Sequence, residues 1–284
     1  MNDGTSPNEG TVPCMWRDGA FFDLLADAAF QHKQAANASK LDDEGYASQR
    51  FARAAILAAA LSVESAANCL LETLDIPKTL RSEVDRMTPL GKIDACLRLR
   101  GHSSIAYGIR EVQQIAELVK IRNDHVHPRT STIPAELGSE KVGDTHSFVP
   151  ISLESELWPS LGISKRSMFW SHQSSQAVLK AVSGFHKYVL KTLMGLKADE
   201  MKRILASRLE VSTMQLHLVS DDVLKELEGA REWGADLQFF GVFLPPESAP
   251  ISTSASPKIG MKGGENGRQK IVWLRAPRNE ENRS

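Results

Sequence analysis

An arginine and a histidine stand five residues apart in Ile121–Arg129, which reads Ile-Arg-Asn-Asp-His-Val-His-Pro-Arg. Arg122 carries a permanent charge and can hold two phosphate oxygens at once. His127 can exchange a proton near neutral pH. Cleavage of RNA by its own 2′-hydroxyl needs a base, an acid for the leaving 5′-oxygen and positive charge at the phosphate. The pair therefore predicts phosphodiester cleavage by Arg122 and His127, with no metal and no cofactor.

The same residues also have plainer structural roles, which the sequence leaves open. Arg122 falls in the last turns of a predicted helix, where a cation stabilises the helix dipole. His127 could bond the last carbonyls of that helix. Asn123, a supporting residue of the site, could instead brace the helix end. His125 and His127 form a His-x-His pair, but the sequence offers no third ligand at a suitable spacing, so we predict no metal site.

A carboxylate upstream is the second supporting residue. Glu64 lies within the alanine-rich run Ala54–Asn68. A buried carboxylate without a partner is strongly destabilising, so Glu64 either pairs with Arg122 or faces solvent. Asn68 on the same helix is expected to form a hydrogen bond to another helix.

Helices must position these residues. Apolar residues recur at helical spacing in five segments, with shorter helical pieces near 198–211 and 219–232 and a short strand near 239–244. The five segments are about 18–39, 46–74, 89–100, 104–126 and 169–194. Thr88 is an N-cap candidate, and Pro128 must end the helix that carries Arg122. Four long helices with mostly short links predict an all-α, antiparallel bundle.

Composition and periodicity divide the chain into four parts. Residues 129–165 form an insertion in the main domain. They show no sustained periodicity of apolar residues, and we expect a long loop with one hairpin near 146–153. The parts are a disordered N-terminus (1–17), the main helical domain (18–195), a C-terminal helical extension (196–250) and a disordered basic tail (251–284). The tail is a solvated arm or a further contact for RNA.

The bulk charge excludes one class of function. The chain has 34 Lys and Arg against 35 Asp and Glu, a net charge of −1. No general positive field holds nucleic acid, so any such contact must be local. The three cysteines form no Cys-x-x-Cys pair. The polar N-terminus is unlike a signal peptide, and the longest apolar run, 54–61, is too short to span a bilayer. We therefore expect a reduced, cytoplasmic protein without membrane contact.

The motif and the helix before it resemble the HEPN superfamily of helical domains. That family carries an Arg-x(4 to 6)-His motif, often with Asn directly after the Arg, and Arg122-Asn123-Asp124-His125-Val126-His127 fits the shortest form. Ala54–Asn68 is similar to the family's alanine-rich helix with its Glu and Asn. Thr88-Pro-Leu-Gly-Lys92, which precedes a short helix, looks like a variant of another segment of that family. The resemblance covers about residues 20–195, interrupted by the 129–165 loop.

This resemblance implies a homodimeric, metal-independent ribonuclease of toxin–antitoxin or antiviral systems. Two chains about a twofold axis would bring two arginines and two histidines to one cleft. Many family members instead have lost catalysis and bind RNA or a protein partner, such as an antitoxin. Three hypotheses follow: a dimeric endoribonuclease, a catalytically silent binding module, and a structural interaction protein in which the motif braces a helix end.

Overall fold

A computed structural model describes most of the chain. The described residues are 14–41, 45–130, 132, 136–142, 145–152, 155–211, 214–241, 258–263 and 269–274. The chain divides into two units, residues 1–243 and 244–284. In the second unit, strands Lys258–Gly263 and Gln269–Leu274 pair antiparallel.

The first unit is mainly helical. Its described part contains α1 (Phe21–Ala38), α2 (Tyr46–Glu72), α3 (Lys78–Asp85), α4 (Pro89–Leu99), α5 (Arg110–Val126), α6 (His172–His186), α7 (Ala198–Leu205) and α8 (Asp221–Gly229). A π-helical stretch, Lys187–Leu193, continues α6. Short 3₁₀ turns lie at Ser167–Phe169, Ala230–Trp233 and Gln238–Phe240.

Helices α1 and α2 form an antiparallel pair. Near the link between them, the Ser48 hydroxyl donates to the carbonyl oxygen of Ala35 at 2.9 Å. At the far end, Arg17 Nε donates to the Glu72 carboxylate at 2.7 Å. The shared face is rich in small side chains, which allow two helices to approach closely. Those buried on α2 include Ala52, Ala55, Ala59, Ala66 and Ala67.

Helix α2 is also the longest and most apolar helix described. By length and composition alone it could cross a membrane. However, 61% of its apolar stretch of 18 residues is buried inside the protein. Burial of this kind is typical of the central helix of a core.

Helix α6 completes the centre of the bundle. Its first turn meets the end of α1, where His32 Nδ1 lies 2.8 Å from Ser175 Oγ. Its last turn meets the start of α1, where the rings of His186 and Phe21 lie edge to face. Helix α6 therefore runs antiparallel to α1, and α5 packs on both α6 and α2.

The segment between α5 and α6 contains more order than the sequence indicated. Strands β2 (Glu136–Val142) and β3 (Thr145–Ser152) form the expected hairpin, which is longer than predicted. Residues 155–170 then fold back on the helices and bury Leu161, Ile163 and Trp170. The Glu117 carboxylate on α5 anchors this return by accepting the backbone N–H of Leu161 at 2.9 Å.

The unit is mainly helical, as predicted, but it also contains a small antiparallel sheet that the all-α prediction did not include. Strand β1 (Met15–Arg17) pairs with β4 (Ser207–Val211), which pairs with β5 (Met214–Leu218). We predicted helix through residue 211, but α7 ends at Leu205. Apolar side chains then recur at every second residue, as in a strand; they are Leu209, Val211, Leu216 and Leu218.

Several boundaries also differ from the predictions. Helix α5 starts at Arg110 rather than near residue 104, and α3 was not predicted. The strand expected near 239–244 is a 3₁₀ turn at 238–240, and residues 242–244 lie outside the described part. The described residues 196–241 pack in the same unit as the helices.

Disorder was predicted at both ends, and all of the described residues there except Cys14 lie in strands. Residues 15–17 belong to β1, while residues 1–13 lie outside the described part. In the predicted basic tail, residues 258–263 and 269–274 form a hairpin. The rest of 251–284 lies outside the description.

Candidate functional site

The end of helix α5 sets the position of the motif. Pro128 has no N–H and restricts the residue before it. His127 accordingly leaves the helix with φ −119° and ψ 64°, and its backbone N–H donates to the carbonyl oxygen of Asn123 at 2.9 Å. Arg122 and Asn123 therefore lie in the last helical turns, whereas His127 follows the helix.

Arg122 is bound to two other predicted site residues. Its guanidinium donates from Nη2 to the Glu64 carboxylate and from Nη1 to Asn123 Oδ1, the latter at 2.9 Å. The side chains of Arg122 and Glu64 are 20% and 32% exposed. Of the two alternatives for Glu64, pairing with Arg122 is the one found. The ion pair ties the end of α5 to α2.

Asn68 has a different partner. Its side-chain oxygen accepts a hydrogen bond from Lys92 Nζ at 2.7 Å, which links α2 to α4. Lys92 is buried and also donates to Asp85 at 2.8 Å. Asn68 thus forms the expected hydrogen bond between helices.

An open cleft lies beside the end of α5, and we call it the histidine cleft. It encloses about 650 Å³. Arg122 and Glu64 do not line it. Its charged and titratable lining side chains are Asp124, His125, His127, Arg129, Lys165 and Arg166. The structure thus divides the predicted site residues into an ion pair that contacts α2 and a histidine in a solvent-open cleft.

The histidine cleft is positively charged although the chain is not. Among the described residues, Arg129, Lys165 and Arg166 line the cleft with the Asp124 carboxylate, and Glu156 at the rim pairs with Lys165, which leaves an excess of one positive charge before any charge on the two imidazoles is counted. Such a local excess attracts anions and favours phosphate. The charge comes from residues close in space but separated in sequence, so the net charge of −1 concealed it.

Two tryptophans form the wall that faces α5. The Trp170 indole N–H donates to the carbonyl oxygen of Ser164 at 2.7 Å, which fixes the ring. The His125 ring stacks on Trp170, with centroids 6.2 Å apart and an interplanar angle of 26°. On the other tryptophan, Lys165 Nζ lies 5.8 Å from the Trp158 ring centroid.

Lys165 is also held by a carboxylate at the rim. Its ammonium pairs with Glu156. The hydrogen bond and the charge of Lys165 lower the pKa of Glu156. We did not predict Lys165, Arg166, Trp158 or Trp170 as site residues from the sequence. The usable signal was a basic pair between two tryptophans, since nucleic-acid surfaces combine cations with aromatic rings.

The surroundings of the two histidines, as far as the structure describes them, do not form a metal site. Within the described ranges, no three His, Cys, Asp or Glu side chains gather at metal-binding distance. His125 and His127 therefore have no third ligand in that part of the chain.

Two further histidines lie inside the bundle. Burial lowers the pKa of His32 to about 4, and the charge of His172 adds to the shift. Burial lowers the pKa of His186 to about 3. The Nε2 atom of His186 is buried and lacks a hydrogen-bond partner among the residues that the structure describes. Both rings are neutral parts of the core at physiological pH.

Comparisons with models of protein families, with curated proteins and with solved structures found no match. A function can therefore be inferred only from the site itself. That site combines a braced arginine at the end of α5 with a basic cleft that contains two imidazoles.

Proposed function

We propose that this protein is a metal-independent endoribonuclease of the HEPN type, acting on RNA bound in the histidine cleft. One observation carries the proposal: His127, the histidine of the motif, lines a cleft with the basic side chains Arg129, Lys165 and Arg166. The cations would bind the phosphodiester backbone. The imidazole would transfer a proton to or from the reacting oxygens.

Positive charge at the phosphate is the second requirement of the reaction. Negative charge accumulates on the phosphorus oxygens during attack by the 2′-hydroxyl. Arg129, Lys165 and Arg166 lie in the same cleft as His127. Their charge would stabilise the substrate and, more strongly, the transition state. The affinity for RNA should then fall as the salt concentration rises.

Arg122 has a positioning role in this proposal and keeps donors for a phosphate oxygen. A guanidinium has about five N–H donors, and Arg122 spends two of them on Glu64 and Asn123. Its ion pair holds the last turn of α5, from which the chain continues to His127. A phosphate contact by Arg122 would use the remaining donors and would lie beside the histidine cleft, since Arg122 does not line it.

A homodimer is part of the proposal because of the resemblance to the HEPN superfamily. A twofold axis would place a second copy of every side chain beside the first. The biological setting that this resemblance suggests is a toxin or antiviral role, with an antitoxin as a protein partner.

A silent RNA-binding module is the second candidate. The ion pair between Arg122 and Glu64 favours it, since a guanidinium with a protein carboxylate is partly neutralised. In that case the histidine cleft would bind RNA and leave it intact.

Cleavage of an end-labelled single-stranded RNA with EDTA present tests both candidates. We expect cutting by the wild type, products that end in a 2′,3′-cyclic phosphate, and loss of cutting in His127→Ala. His102→Ala is the matched control because His102 lies outside the cleft. RNA that is bound but uncut would support the silent module, and absence of both binding and cutting would reject a role on RNA.

A further inference from the structure

Both histidines of the His-x-His pair line one cleft of one chain, although the motif predicted only His127. Helix α5 carries His125 in its last turn, and His127 follows the end of the helix. Because the backbone leaves helical geometry at His127, the two imidazoles do not follow helical spacing, and both reach the same cleft. We infer that His125 is the second proton-transfer residue of the proposed ribonuclease, so that each chain holds a complete acid–base pair.

This inference rests on the proposed function and changes its requirement for a partner. Two-histidine cleavage needs one imidazole as base and one imidazolium as acid. A shared site would draw the two from different chains. Here one cleft supplies both, together with Arg129, Lys165 and Arg166 as cations.

The reaction balances without any added reagent. The neutral imidazole takes the proton of the 2′-hydroxyl while the 2′-oxygen forms a bond to phosphorus. The bond from phosphorus to the 5′-oxygen breaks, and the imidazolium gives its proton to that oxygen. The products are a 2′,3′-cyclic phosphate and a 5′-hydroxyl. The two histidines have then exchanged protonation states, and solvent restores them.

The surroundings of His125 hold its ring in place. It is half-buried and stacks on Trp170, whose indole is itself fixed by the carbonyl oxygen of Ser164. A fixed ring loses little freedom when it reaches a transition state. His127 is exposed. One imidazole is thus constrained by packing, while the other lies open to solvent.

Packing against Trp170 is the competing explanation for His125, and one substitution separates the two. His125→Phe keeps an aromatic ring on Trp170 and removes the proton-transfer atoms. If His125 transfers a proton, this variant should lose about 10²- to 10⁴-fold in cleavage rate, as general acid–base residues do. It should still bind RNA. Wild-type cutting by His125→Phe would overturn the inference.

A mixing experiment tests whether the pair belongs to one chain. His125→Phe and His127→Ala proteins are unfolded together, refolded as a mixture and assayed on the same RNA. With both histidines supplied by one chain, every cleft in the mixture lacks one of them, and activity should stay at the level of the single variants. Recovery of activity would mean a site shared between chains and would overturn the inference.

The outcomes distinguish this inference from the proposed function. If the wild type cuts RNA and His125→Phe cuts equally well, the ribonuclease survives and only the role of His125 is lost. If the wild type binds without cutting, the proposed enzyme fails, and the inference fails with it. Thermal melts of each variant, with His102→Ala as the control, exclude unfolding as the cause of lost activity.

Discussion

The bundle core and the histidine cleft treat the same side chain in opposite ways. Between α1 and α6, His32 and His186 are almost fully enclosed, and burial lowers the pKa of each. In the histidine cleft, His125 and His127 lie beside cations and solvent. An imidazole that is sealed in apolar surroundings stays neutral because its charged form is poorly solvated. Histidine in this chain therefore indicates chemistry only where water and phosphate can reach it.

The two ends of the motif show a similar contrast. Arg122 contacts Glu64 on another helix and is largely covered, whereas His127 is exposed in the cleft. Although the two residues are only five positions apart, Arg122 lies in a contact between helices and His127 lies at an open surface. The spacing predicts that both lie near the end of α5, but it does not predict which partners they have.

The largest expected effect is kinetic and lies in the histidine cleft. His127→Ala should reduce kcat for RNA cleavage by about 10²- to 10⁴-fold because it removes a proton-transfer group. KM should change little, since the three cations of the cleft remain. Steady-state assays with labelled RNA in excess over the enzyme measure both values. A loss of RNA affinity with kcat unchanged would instead identify His127 as a binding residue.

The core histidines should govern stability in acid. An unfolded histidine takes up a proton near pH 6.5, whereas folding lowers the pKa of His186 to about 3. The unfolded state therefore binds more protons below pH 6.5, so this contribution to stability is complete above that pH and is lost as the pH falls toward 3. His32 acts in the same direction down to about 4.

Replacing one core histidine measures that dependence. Between pH 7.5 and 4.5, the wild type should lose about 2 to 3 kcal/mol more unfolding free energy than His186→Leu, which cannot take up the proton. Urea unfolding at each pH provides the comparison. Parallel pH profiles for the two proteins would show that His186 is not the group responsible.

Loss of the ion pair between Arg122 and Glu64 should lower the free energy of unfolding by a moderate amount. Arg122→Ala leaves the Glu64 carboxylate half-covered without its partner, and we expect a loss of about 1 to 2 kcal/mol. Glu64→Gln in the same background should restore part of the stability by removing the unpaired charge. A double-mutant cycle from urea unfolding gives the coupling between the two residues. Additive effects would mean that the ion pair does not stabilise the fold.

The smallest effect should come from one cation of the cleft. Lys165→Ala should weaken RNA binding severalfold and reduce the slope of log affinity against log salt by about 0.7, the value for one lost phosphate contact on a single strand. Lys33→Ala is the matched control because Lys33 is exposed on α1, away from the cleft. Equal slopes for both variants would show that RNA binds elsewhere.

Local rules were sufficient for most of the helices. Apolar periodicity located α1, α2, α4 and α6 within a few residues, because each buries one face along its length. The Thr88 cap is confirmed, since its hydroxyl accepts the Gly91 N–H at 3.2 Å. Pro128 ended α5 as predicted. These features depend only on neighbours within a few positions of the chain.

Contacts between residues that are distant in sequence could not be predicted from such local features. Strand β1 pairs with β4 through Met15 and Glu210, nearly two hundred positions apart, and three residues carry too little pattern to indicate a strand. Trp158 lay in the predicted irregular loop and Trp170 in a predicted helix, yet both line one wall of the cleft. For the site, the pairing of Glu64 with Arg122 could be anticipated from the penalty on a lone carboxylate. The cations near His127 could not be anticipated, because Lys165 and Arg166 belong to the segment that forms that wall and are distant from His127 in sequence.

The position of β1 has a practical consequence for anyone who shortens this protein. Strand β4 is held between β1 and β5, and Arg17 also donates to the backbone of Ile204 and to Glu72. A chain shortened to begin at residue 18 would lack β1, and one edge of β4 would lose its backbone hydrogen-bond partners. An unpaired strand edge can form hydrogen bonds with a strand of another molecule. We therefore expect shortened chains to self-associate through β4. A dimer of such a chain would not be evidence for a dimer of the intact chain.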